Sequence, residues 1–167
     1  MAFATSSILG ASFTAADSTA LFALNTKALG SDNSEFQYVI ATGTLTTGMC
    51  VYINTAGTAA AFTTAQLNAA VTGGIDLGFA QFTMVQGSYG YVAKRGTNMY
   101  VLCSGTVPGG SPVAFGPIAG ALVTSLLAAA GQTAAGIFVT TSASTATQSV
   151  AVAILTYPRP LAGVPQA

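Results

Sequence analysis

Asp17, Asp32, Glu35 and Asp76 are the entire supply of acidic side chains in this chain, and Lys27, Lys94, Arg95 and Arg159 the entire supply of basic ones. Two acids converging in a cleft can act as general acid and base at a glycosidic bond, or share a proton as an aspartic-protease dyad does. Asp32 and Glu35, three apart in "GSDNSEF", are the pair closest in sequence. In a polar knuckle of this kind, however, Asp and Asn commonly bond their own backbone and set a turn. Asp76 opens the strand-like run "IDLGFA", and a hydrolase would need it to meet a second acid in a pocket. The Asp-Thr-Gly of aspartic proteases does not occur. "DNSEF" also lacks the alternating acids of a calcium loop, so no metal site is expected beyond a cation held between Asp32 and Glu35.

The other nucleophiles fare no better. Lys94 follows Ser88 and Tyr89 without the Ser-x-x-Lys spacing or a nucleophile elbow. "PGGSP" and "TGG" have neither the lysine nor the following helix of a phosphate loop. The chain has no histidine, which removes His-dependent triads, imidazole zinc sites and a near-neutral pH switch. Cys50 and Cys103 each sit in an apolar run, where a buried free thiol acts as a small hydrophobe. The expectation is a protein that is not an enzyme and carries no cofactor.

What must position these few groups is an almost uncharged chain. Charged residues make up 5% of its 167 positions, against roughly 25% in an ordinary soluble domain. Four scattered cations cannot neutralise the several phosphates that nucleic acid presents. The stretch Gly116–Val139 is apolar enough to suggest a membrane, but Thr124, Ser125, Gln132, Thr133 and its glycines interrupt it, and no basic residue flanks it closely. The start has no Lys or Arg before its apolar part and reads as part of the mature protein. With zero net charge, such a surface has little electrostatic protection against self-association. Burial in an oligomer or a larger assembly is the simplest resolution.

The periodicity is that of strands. Phe36, Tyr38 and Ile40 alternate in "EFQYVIA", while "MCVYI" is apolar on both faces, as an inner strand would be. "YGYVAK", "RGTN" and "MYVLC" read as a hairpin, with Gly and Asn in its loop. "VAF", "GALVTSLL", "AGIFVTT" and "VAVAILTY" follow at the spacing of sandwiches and barrels. One short helix is expected in "TTAQLNAAV" (Thr63–Val71), capped by Thr63 or Thr64 and stopped by Gly73–Gly74. "SLLAAAGQTAA" is read as a loop or strand edge. The organisation is an N-terminal arm over residues 1–20, a β domain over 21–157 and a Pro-rich C-terminal tail over 158–167. The fold class is all-β, a small β-barrel or β-sandwich.

"GSDNSEFQYVIATGTLTTGMCVYI", "LGFAQFTMVQGSYGYVAKRGTNMYVLCSG", "GALVTS" and "AVAILTYPRP" together resemble the small β-rich proteins that decorate or cement the capsids of tailed bacteriophages. The likeness spans about Leu21 to Arg159 and lies in strand spacing and turn placement. It implies a structural virion protein on the outer capsid surface, a homotrimer whose partners are the major capsid protein and itself. The clamp segments would then be the two ends, with Phe3, Ile8, Leu9 and Phe13 as apolar anchors at one and Pro158, Arg159 and Pro160 at the other. An alternative is a head-fibre or receptor-binding module for host surface glycans, with Tyr89, Tyr91 and Tyr100 forming its groove. Ordinary cross-strand packing accounts for the same tyrosines.

Overall fold

The computed structural model describes residues 12–30, 32–66, 76–124, 134–143 and 148–160. Among them the chain is all-β. Ten strands form one mixed sheet: β1 (Lys27–Leu29), β2 (Glu35–Ala41), β3 (Cys50–Ile53), β4 (Thr58–Ala61), β5 (Asp76–Ala80), β6 (Tyr89–Ser104), β7 (Val113–Phe115), β8 (Leu122–Thr124), β9 (Ala134–Val139) and β10 (Gln148–Pro160). The described residues contain no α-helix. Where a short helix was expected, a single 3-10 turn spans Thr64–Gln66. The side chain of Gln66 accepts from the Thr63 backbone N–H at 2.7 Å, closing that turn locally. The rest of the expected helix lies outside the described residues, as does most of "SLLAAAGQTAA".

The pairings explain why β2 alternates yet is buried on both faces. β2 pairs antiparallel with β1 and with the first half of β6, and parallel with β4. β4 pairs with β3, β3 with β5, and β5 with β6. The pairings therefore run in a circuit, β2–β4–β3–β5–β6 and back to β2. Period-two geometry sends successive side chains of each strand to opposite sides. Val39, Ala41, Val51, Ile53, Ala59, Ala80 and Val92 join one apolar cluster drawn from all five strands. Phe36, Tyr38, Cys50, Leu77, Phe79, Tyr91 and Ala93 join a second, larger one. Each large side chain so buried contributes roughly 1.5–3 kcal/mol of transfer free energy.

The sequence suggests a hairpin where the structure has one strand. β6 runs unbroken through "RGTN", because its two halves find different distant partners. Tyr89–Arg95 pairs with β2, and Arg95–Ser104 pairs with β10. Gly96 and Asn98 take positive φ values of 149° and 57°, and β10 shifts register opposite them, between Ala153 and Leu155. Glycine and asparagine thus serve a bulge and not a turn. Just past the end of β5, the Gln81 side chain bonds both the N–H and the C=O of Tyr100 (2.8 and 3.2 Å), standing in for a missing strand residue.

Both ends of the described chain are tied to the sheet. Asp17 exchanges backbone hydrogen bonds with Tyr89. Phe13 is 6% exposed, stacked on Phe36 at 4.4 Å and edge-on to Tyr91. At the other end, Arg159 and Pro160 extend β10 against Ala135 and Ala134 of β9. Pairing with β6 stops at Thr156. The prolines therefore fall where β10 has a neighbour on one side only, the position that a residue without an N–H tolerates.

Candidate functional site

Six of the eight charged side chains gather at one end of the strand circuit. The local sequence explains how. β1 and β2 are joined by the turn "GSDNS", in which Gly30 donates to Ser34 O and Asn33 to Gly30 O. Asp32 accepts from both the N–H and the hydroxyl of Ser34, and the hydroxyl bond holds its carboxyl below the usual range. That acid belongs to the turn, as the knuckle reading expects. The turn delivers Lys27 and Glu35 to the same end, and they form an ion pair at 3.1 Å.

Glu35 is the centre of the cluster. Its Oε2 accepts a 2.6 Å hydrogen bond from the Tyr157 hydroxyl, 122 positions along the chain. That bond, ahead of the Lys27 pair, keeps the carboxyl below its ordinary value even though burial works against it. Lys27 is raised in turn by Glu35. Arg95 lies opposite Glu35 in the β2–β6 register. Its guanidinium donates to Asn33 O (3.0 Å) and Asn33 Oδ1 (2.7 Å) and lies 5.6 Å from the centre of the Tyr157 ring. Nothing in the local sequence signals Tyr157. It has a left-handed φ of 55° in the β10 bulge, beside Gly136, where a Cβ would come within 2.5 Å of Thr156 O. A tyrosine in that region is uncommon and carries a backbone cost. The cost is met here by a hydroxyl aimed at a carboxylate.

The second pair is Lys94 with Asp76. Lys94 is 3% exposed, ion-paired to Asp76 and donating to Leu77 O. Burial holds its amine below the usual lysine range, with Asp76 opposing. Glu35 and Asp76 are thus each engaged by a lysine, and Asp32 by Ser34. Beside the cluster, Asp32, Asn33, Arg95 and Thr97 line a shallow recess of about 230 Å³ against Ile154–Thr156. Among the described residues no group of three or more Cys, Asp or Glu is placed to hold a metal ion. No helix among them is long and apolar enough to cross a membrane.

No protein-family model matches this chain, and no curated protein matches it. The arrangement of its own residues therefore carries the functional reading.

The other residues singled out from sequence are dispersed. Tyr91 is 1% exposed within an aromatic cluster with Phe13, Phe22 and Tyr38. Tyr89 is half-buried and stacked near Tyr38 at 6.2 Å, close to Asp17. Tyr100 is half-buried on the distant half of β6. The structure brings no groove of three tyrosines together. Phe13 is spent in the core, so its ring is not offered to a partner, and Phe3, Ile8 and Leu9 lie outside the described residues. Pro158 is buried and Arg159 exposed at the end of β10. Cys50 and Cys103 are free and buried, Cys103 raised by burial to about 11 and Cys50 further still. Neither thiol is poised to react at neutral pH.

Proposed function

We propose that this chain is a structural virion protein, a homotrimer that binds the outside of a tailed-phage capsid and cements the shell by bridging capsomers. Within it, the circuit β2–β4–β3–β5–β6 acts as a small barrel. The observation that carries the reading is the scarcity of charge in a chain that leaves large apolar side chains exposed. Six of the eight charged groups engage one another or the turn at one end, Lys27 and Asp76 from exposed positions, while Leu21, Val85, Ile118, Phe138 and Val150 stand exposed without charge. A surface of that composition suits a protein whose work is contact. The resemblance in strand and turn pattern between Leu21 and Arg159 points the same way.

The mechanism is mass action. A protein that binds the assembled lattice and not its free subunits shifts the equilibrium toward the intact shell. Several contacts made by one oligomer add avidity without new chemistry. The terminal segments, with Phe3, Ile8, Leu9, Arg159 and Pro160, are the proposed clamps; Pro158, buried like Phe13, is not offered to a partner. The test is to add purified protein to shells of the encoding phage that lack it. Saturable binding with a raised shell melting temperature supports the reading, and absence of binding overturns it. Deleting residues 1–11 should weaken that binding, and undiminished binding would remove the N-terminal clamp from the account.

A further inference from the structure

Up to Thr156, β10 is held from both sides, by β6 along Gln148–Thr156 and by β9 at Ala153–Leu155. Beyond Thr156 the described residues give it one neighbour, β9, which it meets again at Arg159 and Pro160. Between Leu155 and Arg159, three residues of β10 stand against the single residue Gly136 of β9. Pro158 and Pro160 have no N–H, so Tyr157 and Arg159 supply the only backbone donors in the last four residues of the strand. Tyr157 also takes its left-handed φ of 55° here, a conformation with a free-energy cost that a released strand end would not bear. The backbone alone is a poor fastening for this end of β10.

The fastening is a side chain. The Tyr157 hydroxyl donates to Glu35 Oε2 at 2.6 Å, and the half-exposed ring has the Arg95 guanidinium 5.6 Å from its centre. Glu35 does not depend on β10 for its own position. It is buried in β2, opposite Leu29 of β1 and Arg95 of β6, and ion-paired to Lys27 at 3.1 Å. A fixed acceptor thus meets a donor carried on a weakly paired strand end.

We propose that the Tyr157–Glu35 contact is a latch, on which residues 157–160 open and close as a unit, independently of the rest of the sheet. Closed, it keeps Pro158 buried and Arg159 exposed, and so sets how the C-terminal clamp leaves the body. The role at the clamp rests on the function proposed above, whereas the latch itself does not. Segments with few backbone bonds open at far lower free energy than the whole domain. A hydrogen bond to a charge, taken at the low end because Tyr157 is about half exposed, favours the closed state by about tenfold.

Amide hydrogen exchange on the full-length chain, resolved by residue with NMR, is the test. In wild type the amides of Ala135, Gly136, Tyr157 and Arg159 should exchange faster than those of Val101 and Ala151, which face each other in the doubly paired part. Tyr157→Phe should speed exchange at the first four by about tenfold, while Val101, Ala151 and the melting temperature stay as they were. Lys27→Met removes the ion pair of Glu35 but not the hydroxyl bond, and should leave all six rates unchanged. A wild-type strand end that exchanges no faster than Val101 and Ala151 overturns the latch. So does a Tyr157→Phe variant with wild-type rates, one whose acceleration extends equally to Val101 and Ala151, or an equal effect from Lys27→Met. Shell binding separates the latch from the function. If Tyr157→Phe opens the end and shells bind as before, the role at the clamp falls. A wild type that ignores shells overturns the function and leaves the latch standing.

Discussion

The charged end of the strand circuit and the outer face of β6–β10–β9 are built on opposite rules. At the charged end every ionic group considered has a fixed partner. Glu35 is held by Lys27 and Tyr157, Lys94 by Asp76, and Arg95 by Asn33. On the outer face the side chains are apolar, and Phe138 and Val150 stand about half exposed. Charge in this protein ties β1, β2, β5, β6 and β10 together, with Glu35 and Lys94 buried and their partners Lys27 and Asp76 exposed. Apolar surface, which most proteins hide, is left outward. A chain with so few charged residues can place them where they organise the fold or where they advertise a surface, and this one does the former.

Breaking the charged end should therefore harm folding, and changing the outer face should not. The largest effect is expected at Asp76. Asp76→Ala leaves the ammonium of Lys94 buried without its counter-charge. Because Asp76 itself is 57% exposed, the penalty falls at the lower edge of the range for buried pairs, about 3 kcal/mol, or roughly 10 °C in Tm. Lys94→Met removes the buried charge along with its demand and should cost under about 1.5 kcal/mol. Equal losses from the two variants, measured by denaturant unfolding, would mean that burial of Lys94 does not set the cost.

Gly136→Ala comes next, at about 2 kcal/mol, since φ is 75° there and the new Cβ would meet the backbone of Thr156 and Tyr157. Calorimetry on this variant sharpens the comparison, because the strain falls on the bulge that presents Tyr157 to Glu35. A smaller effect appears in acid. Glu35 and Asp32 both titrate below their ordinary values in the folded chain. The stability they contribute is complete above the unfolded carboxylate range and is lost as pH falls through the folded pKa values. Melting temperature against pH should fall on that limb, and Glu35→Gln should flatten part of it. The smallest effect is expected from Phe138→Ser, within about 0.5 kcal/mol by monomer unfolding. A loss comparable to that of Asp76→Ala would show that the outer face belongs to the core.

Local patterning made β3 legible, because "CVYI" is apolar throughout, and it marked β2 as a strand, but the alternation of "EFQYVIA" gave no sign that Glu35 and Gln37 would be buried as well. It also made "GSDNS" legible as a turn, since Asp32 acts on Ser34 two positions away. "RGTN" misled for the complementary reason. Its Gly and Asn signal backbone with positive φ, which a hairpin loop and a β-bulge require alike, and only the distant partners β2 and β10 decide between them. The site was illegible in the same way. Glu35 and Tyr157 meet across 122 positions, and Lys94 meets Asp76 because β5 and β6 are neighbours. Spacing along the chain encodes neither contact.

The account's central claim, that this protein works by contact on a phage shell, is tested most directly by its copy number in purified particles of the encoding phage. Quantitative mass spectrometry against the major shell protein should give a ratio near that of a lattice component. A handful of copies per particle would point to a fibre, and absence from the particle would contradict the account.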